Sequence, residues 1–238
     1  MPAFFVHGVP DTPDLWNGVR EHLNRKDVIA PAMPGFGAPL PAGFDCTKDD
    51  YASWLVARVE EVGEPVDIVG HDWGAMLVQR VVSLRPDLIR TWAAGSGPLD
   101  TAYEWHDTAK TWQTPEAGEQ LMAALTPDVV VAVWASQGMG EDVARSVASH
   151  IDDAMKSSIL ALYRSATHVS SDWAPLALSA PPGLVLWGAD DPYAGPEFGK
   201  RLAERTGAKF VAFEGCGHWW PYQRPAEVAT LLEEYWAR

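Results

Sequence analysis

The chain predicts an α/β fold: a mostly parallel sheet of about six strands with helices on both faces and a helical insertion. Three observations carry this. Apolar runs of strand length alternate with helix-like segments along most of the sequence. A buried-type run, Val66 to Val69, enters a tight Gly-x-Asp-x-Gly turn, Gly70-His71-Asp72-Trp73-Gly74, that opens a helix-like stretch. The alternation then stops between Leu99 and Pro182 and resumes afterwards.

Taken in order, Ala3–Val6 is the first strand, ending at the turn His7-Gly8-Val9-Pro10, and a helix is expected over Pro13–Asn24. The strand Asp27–Ala30 leads to the turn Pro34-Gly35-Phe36-Gly37, followed by a helix over Lys48–Val62. The strand Val66–Val69 feeds the helix Ala75–Leu84, and Arg90–Ala94 is the next strand. After the insertion come the strand Gly183–Trp187, the helix Glu197–Thr206, the strand Lys209–Phe213 and the helix Ala226–Trp236. Residues 1–98 and 183–238 therefore read as one core. Residues 99–182 read as a helical cap over the strand C-termini, where open α/β sheets bind ligands, with the Pro-rich stretch Pro175 to Pro182 as its return linker.

With 238 residues and 47% hydrophobic content, the chain suffices for one full hydrophobic core. A net charge of -14 argues against nucleic acid and anionic membrane surfaces as partners. No apolar stretch reaches the ~18 residues of a membrane span, and no basic segment precedes the first strand. The two cysteines, Cys46 and Cys216, are too few for a disulfide framework. A reduced cytoplasmic protein, monomeric or homodimeric, is expected. His22, His106, His150 and His168 lack metal-ligand spacing, so neither a metal nor another cofactor is expected.

The small residues of the turn at Asp72 let strand and helix pack closely and hold its carboxylate at the mouth of the sheet. A carboxylate there points to attack on saturated carbon, with an alkyl-enzyme ester as intermediate. Two further motifs follow. Leu186-Trp187-Gly188-Ala189-Asp190-Asp191-Pro192 ends a strand in acids, and Gly215-Cys216-Gly217-His218-Trp219 places a Gly-flanked histidine after the last strand. Nucleophile, acid, histidine is the chain order of α/β-hydrolases.

On these three motifs and the turn His7-Gly8-Val9-Pro10 the chain resembles the aspartate-nucleophile branch of the α/β-hydrolases, which holds epoxide hydrolases and haloalkane dehalogenases. The resemblance runs from His7 to Pro225 and implies the α/β-hydrolase fold without the family's first two strands. It implies Asp72 as nucleophile and His218 as the base that activates water. Asp191 is implied, in preference to Asp190, as the acid that orients the histidine. The backbone N–H groups of Val9 and Trp73 are implied as an oxyanion hole. The chain carries Ala32 where the family often has an aspartate.

The leaving group separates the two activities. An epoxide alkoxide needs an O–H donor, and Tyr163-Arg164 resembles the Tyr-Arg segment late in epoxide hydrolase caps. A halide needs N–H donors. Val9 stands where many haloalkane dehalogenases have a halide-binding asparagine, although Trp73 with a cap tryptophan such as Trp112 offers a two-indole alternative. The expected activity is conversion of an epoxide and water to a diol, on a small apolar substrate in a pocket that includes Trp112, Tyr103 and Trp219. Haloalkane dehalogenation, another hydrolase activity and a non-catalytic binding protein remain alternatives.

Overall fold

The computed structural model describes residues 1–173 and 181–237. Six strands form one sheet in the order β2-β1-β3-β4-β5-β6, every pair parallel. They are β1 (Ala3–Val6), β2 (Val28–Ile29), β3 (Val66–His71), β4 (Ile89–Gly95), β5 (Gly183–Gly188) and β6 (Lys209–Phe213). β1, β3 and β5 are buried along their whole length, as strands covered on both faces must be. β2 shrinks to two residues at the sheet edge, shorter than the expected Asp27–Ala30.

The helix expected over Pro13–Asn24 divides into a 3-10 turn, Pro13–Trp16, and α1 (Asn17–His22). Helix α2 (Lys48–Glu60) begins on a capping box, in which Thr47 Oγ1 accepts from Asp50 N–H and Asp50 Oδ2 accepts from Thr47 N–H. Helix α3 (Trp73–Leu84) follows β3 directly. Between β4 and β5 lie α4 (Asp107–Gln113), α5 (Ala117–Ala124), α6 (Pro127–Ser136), α7 (Glu141–Ala148), α8 (Asp153–Ser165) and α9 (Val169–Asp172). Most of the Pro-rich stretch expected as the return linker lies outside the described residues. After β5, α10 (Pro196–Thr206) ends on Gly207 at φ 70°. The short α11 (Trp220–Gln223) precedes α12 (Pro225–Trp236).

The strand order puts the switch in direction at β1 and β3: the chain leaves β1 for β2 on one side and returns to β3 on the other. A crevice opens at the carboxyl ends of such strands. The turn after β1 and the turn after β3 both lie there. The segments after β4, β5 and β6 lie at the same end of the sheet.

Candidate active site

Asp72 occupies the turn between β3 and α3 with φ 53° and ψ -122°. A non-glycine residue in this region carries about 1–3 kcal/mol of strain, which the surrounding packing must hold. Gly74 shows how tight that packing is. A Cβ there would lie 2.3 Å from the Val6 carbonyl oxygen and 2.6 Å from that of His7. One Asp72 oxygen, Oδ1, accepts from the Val9 N–H at 2.8 Å, and the Trp73 N–H also favours its anion. Asp72 is also the residue that precedes α3, at the positive end of that helix, although its side chain makes no capping hydrogen bond. Its side chain is 18% exposed. Burial pushes the Asp72 carboxyl up to about 6, against the opposing pull of His218 and the two N–H groups.

His218 follows β6. Its Nδ1 meets Asp191 Oδ2 at 2.9 Å, and its Nε2 lies 3.7 Å from Asp72 Oδ2. The latter distance is beyond a hydrogen bond. Asp191 is buried, and its Oδ1 accepts from the N–H groups of Tyr193 at 2.9 Å and Ala194 at 3.2 Å. Burial acts to raise the Asp191 carboxyl, but His218, the Tyr193 N–H and Ser96 outweigh it and hold it below the usual range. Burial acts to lower His218, but Asp191 and then Asp72 outweigh it and hold the imidazole above its ordinary value. Asp190 is exposed. The acid in contact with His218 is therefore Asp191.

The other nearby histidines are tied into the scaffold. His71 Nε2 donates to the His218 carbonyl at 2.8 Å, linking the elbow to the histidine loop. His7 Nε2 accepts from Met33 N–H at 3.1 Å, with its Nδ1 on the Gly8 carbonyl at 2.8 Å. Burial lowers both, His7 to about 4 and His71 to about 3, so each is neutral.

A cavity of about 200 Å³ opens over Asp72 and His218. It is lined by the sheet-end loops and by residues of the helical insertion. Of the residues expected there, Val9, Tyr103, Trp112, Tyr163 and Trp219 all line it. Tyr163, on α8, is buried, with its ring 5.5 Å from Trp73 and 4.8 Å from Trp112. Burial, then the Asp72 charge, raises its phenol well above the ordinary value. The Tyr103 hydroxyl donates to the Tyr193 carbonyl at 3.3 Å, which ties it to the acid loop. The indole N–H groups of Trp73, Trp112 and Trp219 are buried and have no hydrogen-bond partner among the described residues. The Trp73 N–H lies near enough to the Tyr163 oxygen to favour phenolate, short of a hydrogen bond.

Sequence reasoning missed four neighbours of the site. Tyr193 lines the cavity edge-on to His218 at 5.0 Å and donates to Gln137 Oε1 at 2.5 Å. Its position two residues after Asp191 was the available signal. Ser96, at φ 57°, supports Asp191 and accepts from the Trp220 indole at 3.1 Å. His106 lines the cavity from the N-terminus of α4. Asp11 is fully buried beside the first turn; burial pushes its carboxyl up to about 8, and its Oδ2 has no hydrogen-bond partner among the described residues. Among the described residues no group of histidine, cysteine, aspartate or glutamate is arranged to hold a metal. None of their helices is long and apolar enough to cross a membrane.

A strained turn after a central parallel strand, an acid after β5 and a histidine after β6 define a hydrolase of the α/β class. Residues 3–231 match the alpha/beta hydrolase family, and the chain belongs to that family. It is 24% identical over 212 residues to (E)-2-((N-methylformamido)methylene)succinate hydrolase of Acinetobacter baylyi, covering 86% of this chain and 78% of the relative. Among solved structures it resembles an epoxide hydrolase from Vigna radiata, with TM-score 0.82 and 18% identity over 99% of this chain and 91% of the other. A haloalkane dehalogenase from Bradyrhizobium elkani superposes with TM-score 0.81 and 22% identity over 99% and 91%. At these identities the two structural likenesses establish the fold.

Proposed function

We propose that the protein is an epoxide hydrolase that works through a covalent ester on Asp72, with the helical insertion as the cap of its active site. The observation that carries this reading is the Tyr163 phenol in one cavity with Asp72, close enough for the carboxylate to act on it. Asp72 Oδ1 is held by the Val9 N–H, which leaves Oδ2 to attack an epoxide carbon. The new C–O bond forms as the ring C–O bond breaks, and Tyr163 gives its proton to the departing alkoxide. Water then attacks the ester carbonyl, losing a proton to His218 Nε2. The N–H groups of Val9 and Trp73 hold the tetrahedral oxyanion. Collapse releases the diol: of the two water protons, now on His218 and on the Asp72 carboxyl, one goes to the leaving oxygen and the other to the Tyr163 phenolate, which restores all three groups. Epoxide and water are consumed and nothing else is required.

A second reading, haloalkane dehalogenation, is favoured by the unpartnered indole N–H groups of Trp73 and Trp112. Against it, Val9 supplies no polar side chain to a halide. Likeness to both an epoxide hydrolase and a haloalkane dehalogenase is likeness of fold and does not choose between the two readings. His218→Gln incubated with styrene oxide should gain the mass of one substrate on Asp72, and the unaltered enzyme should form the diol. Halide release from a haloalkane panel, with no diol from an epoxide panel, would establish the second reading instead.

A further inference from the structure

His106 has a local job that fixes its chemistry. Its backbone is extended at the N-terminus of α4, and its Nδ1 accepts from the Ala109 N–H at 3.3 Å as a helix cap. An accepting Nδ1 must carry its lone pair, so the neutral ring holds its proton on Nε2. Burial, then the charge of His218, lowers His106 to about 4, which keeps this form in place at neutral pH. The ring lines the catalytic cavity, tilted against Tyr193 at 4.9 Å and edge-on to Trp112 at 6.4 Å. With Nδ1 turned to the helix, Nε2 is the remaining polar atom of a half-buried ring that lines the cavity. No group among the described residues accepts from it in a hydrogen bond. Tyr193 touches both imidazoles, 4.9 Å from His106 and 5.0 Å from His218, so their rings are at most about 10 Å apart. The described lining of the cavity is mostly aromatic and aliphatic, with Asp72, Ser96, Thr108, Gln137 and the two histidines as its other polar members, and includes no lysine or arginine.

We propose that His106 Nε2–H is a recognition point for a neutral hydrogen-bond acceptor on the substrate, in the part of the cavity that His106 lines with Tyr193 and Trp112. The substrate is then an uncharged, largely apolar molecule with an ether, carbonyl or hydroxyl oxygen in addition to its reacting group. A carboxylate would find no lysine or arginine among these walls and would meet the Asp72 carboxylate. The inference rests on the epoxide reading only for which bond reacts; the recognition itself is a binding property.

The test has two arms. In the first, tryptophan fluorescence measures the affinities of two unreactive ligands, 4-phenylbutan-2-one and butylbenzene, for the unaltered protein and for His106→Ser. Serine keeps an oxygen to cap α4 and removes the donor from the cavity. The preference for the ketone relative to the hydrocarbon should fall about 3- to 10-fold in the variant, the span of one neutral hydrogen bond. His106→Asn, which keeps both a capping oxygen and an N–H, should retain part of that preference. In the second arm, kcat/KM is compared for 1,2-epoxyoctane and a chain-matched epoxide with a terminal methoxy group, and their ratio should shift in the same direction. An unchanged preference in His106→Ser, or equal weakening of both ligands, would show that His106 is a helix cap alone. Failure of both epoxides to turn over would overturn the epoxide reading while the binding arm still decides this one.

Discussion

Replacing Asp191 by asparagine separates the two chemical steps. The carboxylate is buried, its Oδ1 is committed to the N–H groups of Tyr193 and Ala194, and its Oδ2 receives His218 Nδ1. Asparagine can keep Oδ1 on the two N–H groups, which turns its own N–H toward His218. The ring must then accept at Nδ1 and carry its proton on Nε2, the atom that has to take a proton from water. The imidazolium formed in that step also loses its counter-charge. An enforced wrong tautomer of this kind costs about 10⁴-fold, or about 5 kcal/mol. Alkylation of Asp72 uses no proton transfer to His218 and should slow less than tenfold. The variant should therefore accumulate ester, seen by intact-protein mass spectrometry as one substrate mass, while diol release falls by about 10⁴. Equal slowing of both steps, or unaltered turnover without adduct, would refute the assignment of Asp191. Asp190→Asn, at an exposed position, serves as the control and should behave as the parent enzyme.

Tyr163→Phe should slow single-turnover alkylation about 10²-fold and leave hydrolysis of preformed ester unchanged; rapid-quench assays read both steps. Burial puts Asp72 at about 6 and only its anion attacks, so the alkylation rate should rise with pH through about 6 and level above it; a rate independent of pH from 5 to 8 would contradict this. Gly74→Ala drives a Cβ into the Val6 and His7 carbonyls and should cost about 3 kcal/mol or more, read as a lower urea midpoint. Asp11 is held up to about 8, so the native state keeps a proton that the unfolded chain releases above about 4. Stability from this group is present at low pH and lost as pH rises toward 8. Asp11→Asn should therefore raise the melting temperature at pH 8 more than at pH 5; an equal offset at both would refute the buried-acid assignment.

The sheet was legible because parallel strands buried on both faces are continuous apolar runs, and all six spans expected from the sequence differ from the observed strands by at most two residues at an end. The span over Asp27–Ala30 keeps only Val28–Ile29, at the edge of the sheet where it pairs with β1 alone. The motif residues were legible for a related reason: each sits in a glycine-containing turn that follows a strand, where local sequence dictates local backbone. His106 and Tyr193 were not legible. Their place in the cavity depends on how the insertion folds back over the sheet, a long-range fact with no period or motif to announce it. The six helices between β4 and β5 were likewise expected only as a helix-rich region. Asp11 was hidden because nothing in Pro10-Asp11-Thr12 distinguishes an exposed turn aspartate from a buried one; the contact with the Tyr222 hydroxyl that encloses it spans most of the chain.

The charges at the site also show how one histidine can serve the proposed reaction, whose first step does not need it. In the free protein, Asp191 and Asp72 both hold His218 above its ordinary value, which favours imidazolium. That cation in turn opposes the burial that raises Asp72 and so keeps the nucleophile available as an anion. In the proposed cycle alkylation converts Asp72 to a neutral ester, and one of the two negative charges acting on His218 disappears. The imidazole then loses its proton more readily, at the moment a base is required. Asp191 remains to stabilise the cation that water activation regenerates. A serine in the elbow carries no charge to lose and so cannot switch its base in this way. The aspartate is therefore tied to the histidine by electrostatics at 3.7 Å rather than by a hydrogen bond.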